Sequence, residues 1–208
     1  HKHAVEKAYM GNIVGALRLT LAMLIVLIAL IAVLLTSFIP VQIRGISLAA
    51  WSVNLVIHML TFVFRIHVTS PDMDRIRNHA GLIFPNHTSA LDVVALYYCS
   101  PMRFLAADDV ERQPLIGRIA RAVGTIFVQR NNPRSRLQAR NQVADALAEN
   151  QVPPIVLFPE GRLGPGDTLF PFRHGAFGIA AEGSVPYLPC AMRYEPLDIV
   201  LWRAASEG

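Results

Sequence analysis

Lysine is almost missing from this 208-residue chain: of 19 basic residues only Lys2 and Lys7 are lysine, and the rest are arginine. Charge of either sign is scarce. Only 16% of the residues are charged, where soluble domains carry about 25%. A solvated or disordered chain is excluded by that shortage. Cysteine occurs only at Cys99 and Cys190, both in apolar surroundings. Two such residues make no disulfide framework and no metal-like pair; buried thiols in a reducing compartment are favoured over a single disulfide. His58, His67, His79 and His174 are scattered without metal-ligand spacing, so no metal is expected. Gly164-Pro165-Gly166 lacks a following Gly-Lys-Ser/Thr and reads as a turn, not a phosphate loop. Ser89 has no Gly-x-Ser-x-Gly elbow around it, which argues against a serine hydrolase. No zinc-finger spacing, RNA-binding aromatic signature or dense basic tract is present, and nucleic acid is not an expected partner. There is no internal repeat.

What the chain has in excess is apolar. Hydrophobic residues make up 53% and are concentrated near the N-terminus. Residues 1–16 are polar and weakly helical, and His1-Lys2-His3 reads as an appended tag rather than fold. Leu19 to Phe38 is an almost unbroken apolar run bounded by Arg18 and Ile39-Pro40. A helix needs roughly 20 apolar residues to cross a bilayer core, and this run has that length. No small-residue cleavage site of a signal peptide follows it. The alternative is a helix buried in a soluble core, uncommon for a run that is apolar all round. After Arg44, Ile46 to Phe64 is apolar again but interrupted by Ser47, Ser52, Asn54, His58 and Thr61. That second helix can span the membrane, lie in its interface, or pair with the first. Basic residues precede the first helix and follow the second, at Arg65, Arg75 and Arg77, which puts both flanks on the cytoplasmic side of a hairpin.

From Ile66 the pattern changes. Strands are expected at Ile66–Thr69, Gly81–Pro85, Met102–Ala106, Gly124–Val128, Pro154–Phe158 and Val185–Met192. Helices or turns are expected at Met73–Asn78, Leu91–Cys99, Leu115–Ala122, Arg134–Glu149 and Phe177–Glu182. Alternation of this kind predicts an α/β fold, a largely buried mixed sheet flanked by helices and preceded by a two-helix membrane anchor. Residues 17–65 form the anchor and 66–208 the catalytic domain.

Four stretches stand out. In Asn86-His87-Thr88-Ser89-Ala90-Leu91-Asp92, His87 and Asp92 stand five positions apart at a strand exit, so the carboxylate can fold back to the imidazole. A histidine held this way is a candidate general base for a hydroxyl group; the plainer reading is a loop histidine with Asp92 favouring a helix start. Phe158-Pro159-Glu160-Gly161 suits a tight turn where substrate nears the backbone, or an ordinary turn. Gly124-Thr125-Ile126-Phe127-Val128-Gln129-Arg130 puts one arginine just past a strand, free to bind an anion or to sit in solvent. Val185-Pro186-Tyr187-Leu188-Pro189-Cys190 suits an edge strand or an acyl-contacting wall.

In this order and at these separations, the four stretches resemble the blocks of the phospholipid/glycerol acyltransferase family, and the likeness covers Gly81 to about Arg193. It implies transfer of a fatty acyl group from an acyl thioester, acyl-CoA or acyl carrier protein, to a lysolipid hydroxyl, with no metal or other cofactor. His87 carries over as general base and Asp92 as the residue that orients it. Arg130 carries over as a contact to the acceptor's anionic group, and Glu160 and Gly161 as acceptor-site residues that can also help hold the loop shaping the pocket. The resemblance implies a bacterial inner-membrane enzyme facing the cytoplasm. One departure concerns the acceptor. Members acting on a phosphate-bearing acceptor continue Phe-Pro-Glu-Gly with Thr-Arg-Ser, whereas here Arg162-Leu163-Gly164 follows. Either Arg162 or Arg173 supplies the guanidinium, or the acceptor is not a glycerol phosphate. That leaves 1-acylglycerol 3-phosphate, giving phosphatidic acid, beside lyso-ornithine lipid or another lysolipid. A non-catalytic lipid-binding membrane protein on the same scaffold is the rival from another class. Gly208 follows soon after the fourth block, so material that family members carry beyond it is missing or short.

Overall fold

The computed structural model describes residues 2–37, 39, 41–166 and 168–195, with side chains from residue 12 onward. Helix α1 (Lys2–Ser37) leads into a two-strand ribbon, β1 (Gln42–Ile43) and β2 (Ile46–Ser47), and then α2 (Leu48–Phe64). The α/β domain follows: α3 (Met73–Arg77), β3 (Leu82–Pro85), α4 (Leu91–Cys99), β4 (Arg103–Ala107), α5 (Asp108–Glu111) and α6 (Ile116–Ala122). It continues with β5 (Ile126–Val128), α7 (Pro133–Glu149), β6 (Ile155–Val156), α8 (His174–Gly183) and β7 (Tyr187–Cys190).

The main sheet has five strands in the order β5-β4-β6-β3-β7, and every neighbouring pair is parallel. The expected mixed sheet is therefore corrected to a parallel one. Each strand is followed by a helix or a long loop that carries the chain back, so successive strands enter from the same end. The antiparallel pairing that does occur, β1 with β2, lies outside this sheet. The expected strand at Ile66–Thr69 does not form. Both sides of β3 are taken, by β6 and β7, and the Ile66 amide closes the end of α2 by donating to the Thr61 carbonyl at 2.8 Å. The expected strand at Pro154–Phe158 contracts to the two residues of β6, and α5 has no counterpart in the sequence reading.

Alternation along the central strands divides the core in two. Ile83 and Val156 face one side, with Leu96, Tyr97, Met102 and Phe104. Leu82, Phe84, Ile155 and Leu157 face the other, against α7 and α8 through Val143, Leu147, Ile179 and Ala180. Both faces of a parallel sheet are thus covered, which is why its strands read as continuous apolar runs. Asn132 caps α7 by accepting from the amides of Arg134 and Ser135, with Pro133 at the first helical position.

The two apolar helices differ in kind. Asn12–Ser37 of α1 is long and apolar enough to cross a bilayer: 26 residues rise about 39 Å against about 30 Å of hydrocarbon. A stripe of Ala22, Ile25, Ala29 and Val33 is buried, while Leu17, Met23, Leu27, Ile28 and Leu35 are exposed. The stripe lies where α1 packs on α2 and α6. Helix α2 has 17 residues and is fastened to the α/β domain. The Tyr97 hydroxyl donates to the Ala50 carbonyl at 3.2 Å, Asn54 donates back to the Tyr97 carbonyl, and His58 stacks on Tyr98. Of the three placements open to the second helix, the structure displays pairing with α1, and α2 also packs on α4.

One arginine shows how the sheet's lower end is secured. Arg103 donates to the carbonyls of Pro153 at 2.9 Å, Asn150 at 2.6 Å and Ala146 at 3.4 Å. Two of those carbonyls belong to the C-terminal end of α7, where a cation also meets the negative end of the helix dipole. Replacing Arg103 with Ala is expected to lower stability by about 2–3 kcal/mol, the size of hydrogen bonds to a charged group. Thermal melting in detergent measures the loss, and Arg103→Lys recovers only part of it because an ammonium lacks the fork.

Candidate active site

The strands of a parallel sheet deliver their following loops to one edge, where such folds place their ligand sites. At that edge β3 ends on Asn86 and His87, β6 leads to Phe158, Pro159 and Glu160, and β7 leads to Ala191–Tyr194. The strands β6, β3 and β7 are adjacent, so the first, third and fourth sequence stretches meet.

His87 Nδ1 lies 2.9 Å from Asp92 Oδ2. Asp92 opens the first turn of α4, and its carboxylate turns back over the loop it has just left. Oδ2 also accepts from the amides of Thr88 at 2.7 Å and Ser89 at 3.0 Å. Oδ1 accepts from the Thr88 hydroxyl at 3.4 Å and from the Tyr194 hydroxyl. The side chain is 0% exposed. Burial pushes the Asp92 carboxyl up, but the donors at His87, Ser89, Tyr194 and Thr88 outweigh it and leave it below its ordinary value. An ionised Asp92 accepts at Oδ2, so Nδ1 is the protonated nitrogen of the neutral ring and Nε2 carries the free lone pair. The ring is 13% exposed and lies flat on Phe158, with centroids 3.8 Å apart.

Glu160 grips the same loop from the other side. Its Oε1 accepts from the His87 amide at 2.7 Å, and its Oε2 from the Phe170 amide at 2.9 Å. It is 2% exposed, and both oxygens are engaged by backbone. The loop that runs from Gly161 to α8 is tied to the histidine as well, since the Gly164 amide donates to the His87 carbonyl at 2.6 Å. Gly161 has φ +69°, and a Cβ there would come within 2.8 Å of Arg173 Nε. The glycine thus answers both a left-handed turn and the close approach of Arg173. Arg162 lies over the Phe170 ring, its Cζ 3.9 Å from the centroid.

Arg130 stands elsewhere along the edge. It follows β5, three strand spacings from β3 and so about 14 Å away laterally. With Asp108, Asp109, Arg112, Gln129 and Asn132 it lines an open cleft of about 500 Å³ that holds carboxylates as well as guanidinium groups. Two residues of the site had no role assigned from the sequence, although Asn86 opens the first stretch. Asn86 donates from Nδ2 to the Met192 carbonyl at 3.2 Å and accepts at Oδ1 from the Met192 amide at 2.6 Å. Tyr194 reaches Asp92 across 102 positions of sequence. Neither pairing has a local spacing that a sequence pattern can reveal.

Comparisons with known proteins place the chain in a family. The sequence model of the family described as Acyltransferase matches residues 65–193, more than half of the chain. The chain belongs to the acyltransferase family. It is 31% identical over 113 residues to the 1-acyl-sn-glycerol-3-phosphate acyltransferase of Neisseria gonorrhoeae, covering 54% of this chain and 44% of that protein. It is 32% identical over 124 residues to the lyso-ornithine lipid O-acyltransferase of Rhizobium meliloti, covering 59% of this chain and 41% of that protein. The chain thus spans less than half the length of these two curated relatives. The fold is similar to the crystal structure of the 1-acyl-sn-glycerophosphate acyltransferase PlsC from Thermotoga maritima, with a TM-score of 0.57 and 20% identity over 83% of this chain and 74% of that one. Within this chain's fold, His87, Asp92 and Glu160 come together and Arg130 stands at the far side of the same edge.

The depressed Asp92 carboxyl has a consequence for pH. An unfolded aspartate titrates near 3.9, and the folded one lies lower. Between those values the unfolded chain binds more protons, so stability rises with pH there; Asp92's contribution is complete above the unfolded value and is lost as pH falls through the folded one. Asp92→Asn is expected to remove this part of the slope. Melting temperature in detergent followed from about pH 6 to pH 3 makes the comparison.

Proposed function

We propose that this acyltransferase moves a fatty acyl group from an acyl thioester to the hydroxyl of a lysolipid. The observation that carries the reading is the His87–Asp92 pair, with Nδ1 engaged by a buried carboxylate and Nε2 left to take a proton. Nε2 removes the acceptor's hydroxyl proton as the oxygen attacks the thioester carbonyl carbon. The C–S bond then breaks, and the departing thiolate takes the proton back from the imidazolium, giving an ester and a free thiol. Asp92 holds the tautomer and stabilises the imidazolium. A thioester is already activated, so a positioned base meets the demand. Glu160 supports the reaction by fixing the His87 and Phe170 backbones, which shapes the pocket rather than touching the acceptor. Acyl-CoA and acyl carrier protein both qualify as donor.

For the acceptor, 1-acylglycerol 3-phosphate, giving phosphatidic acid, is the first reading, supported by the Neisseria relative's name. Arg130 serves it as an anion contact if the acceptor's headgroup extends along the strand edge towards the Arg130 cleft. Leu163 supports a second reading, lyso-ornithine lipid, because it stands where phosphate-directed members have arginine. Arg162 is engaged with Phe170, which leaves the Arg173 guanidinium, beside Gly161, for the headgroup. The enzyme works at a membrane, with α1 as its anchor, α2 beside it, and the catalytic domain on the cytoplasmic face of a bacterial inner membrane.

Thiol release from acyl-CoA or acyl carrier protein, followed across a panel of lysolipids, tests this. The expected result is transfer to one or both of the named acceptors by the intact chain. His87→Ala is expected to lower it by roughly 10³-fold or more, the scale of losing an oriented base, with melting temperature and membrane binding retained. Turnover retained in His87→Ala contradicts the assignment of the base, and no thiol release on any lysolipid contradicts the activity.

A further inference from the structure

The mechanism above uses one oxygen of Asp92. The other oxygen has a partner from a distant part of the chain, and that contact carries a further role. We propose that Tyr194 is a positioning residue for acyl transfer: its hydroxyl fixes the Asp92 carboxylate that orients His87. The proposal rests on the reading of His87 and Asp92 as the reacting pair.

Three observations support it. First, the other donors to Asp92 all come from residues 87–89, within the loop that the carboxylate itself organises. Tyr194 comes from beyond β7, so it references the pair to the sheet rather than to its own loop. Second, the approach of Tyr194 is set by a two-way amide clamp. Asn86, next to His87, both donates to and accepts from the backbone of Met192, two residues before the tyrosine. The residue preceding the base therefore holds the segment that delivers the phenol. Third, the phenol stays a donor: burial, with the Asp92 hydrogen bond and charge, raises its pKa well above the ordinary tyrosine value. The titratable groups facing Asp92 are His87 and Tyr194, and Glu160 lies across the His87 loop, bonded to the His87 amide.

When His87 takes the acceptor's proton, an imidazolium forms beside the carboxylate. A donor on Oδ1 holds the carboxylate in plane and spreads its charge, so proton uptake by the pair as a unit occurs at lower pH. Without that donor the pair holds its protons to higher pH and its geometry loosens. A residue that merely fills space at this point alters neither.

The test is Tyr194→Phe in the full chain, which keeps the ring and removes the hydroxyl. Turnover is measured as thiol release from acyl-CoA against pH, with 1-acylglycerol 3-phosphate and lyso-ornithine lipid as acceptors. The expected result is a kcat lower by roughly tenfold, the value of a charge-assisted hydrogen bond, with KM unchanged. The acid limb of the profile is expected to move up by about half a pH unit. A second readout needs no turnover: the downfield proton of the His87 Nδ1–H···Asp92 bond in the NMR spectrum moves in Tyr194→Phe. Tyr187→Phe, at an exposed tyrosine of β7, serves as control and leaves both readouts in place. An acid limb and a resonance that stay put in Tyr194→Phe overturn the proposal, even if the rate falls, and so does an equal shift in the control. If the intact chain acylates no lysolipid, the functional reading fails while the resonance still decides the role of Tyr194.

Discussion

Two buried carboxylates hold one short loop, and the rest of the site depends on that grip. Asp92 takes the His87 ring and the amides of Thr88 and Ser89, and Glu160 takes the His87 amide itself. An ionised carboxylate is costly to bury unless donors surround it, and here the donors are the very backbone that must be positioned. The cost of burial is offset by the same bonds that fix the base. Because Asp92 belongs to α4 and Glu160 follows β6, the loop is referenced to both a helix and a neighbouring strand. Position and protonation state are set together.

The parallel sheet makes this possible. Adjacent strands β6, β3 and β7 release their loops at the same edge, so residues 73 and 102 positions apart arrive within hydrogen-bond reach. The loop from Gly161 to Arg173 is folded over that edge by bonds to His87 and Glu160, and it presents Leu163, Leu169 and Phe172 to the surroundings. Meanwhile α1 exposes a nearly continuous apolar surface, and α2 carries it on to the domain through Asn54, His58 and Tyr97. A packed connection between an apolar helix and the domain is what the proposed acylation of a lipid calls for.

Much of this was legible in the sequence, and the reasons are specific. The strand at Gly81–Pro85 was readable as a short apolar run ended by polar residues, and His87 and Asp92 were readable because five positions bring a helix-start carboxylate back to a strand exit. The long apolar run of α1 declared itself by length. What escaped was whatever depended on pairing across the fold. All four crossovers being parallel is a property of how strands enter the sheet, which apolar runs do not encode. The strand expected at Ile66–Thr69 had the right residues, but its Ile66 amide is spent closing α2 and the segment joins neither edge strand, β5 or β7. Glu160 entered through the family resemblance as an acceptor-site residue; its burial with both oxygens on backbone amides is visible only in three dimensions. Tyr194 had no motif at all.

The central claim is that Asp92 and Glu160 act on the same loop, and a double-mutant cycle on turnover tests it most directly. Asp92→Asn, Glu160→Gln and the pair are compared with the intact chain by thiol release in the presence of a lysolipid acceptor. If both carboxylates position His87, losing the second costs much less once the first is gone, and the double variant retains far more activity than the product of the two single effects. Losses that simply multiply would show two independent roles and contradict the account.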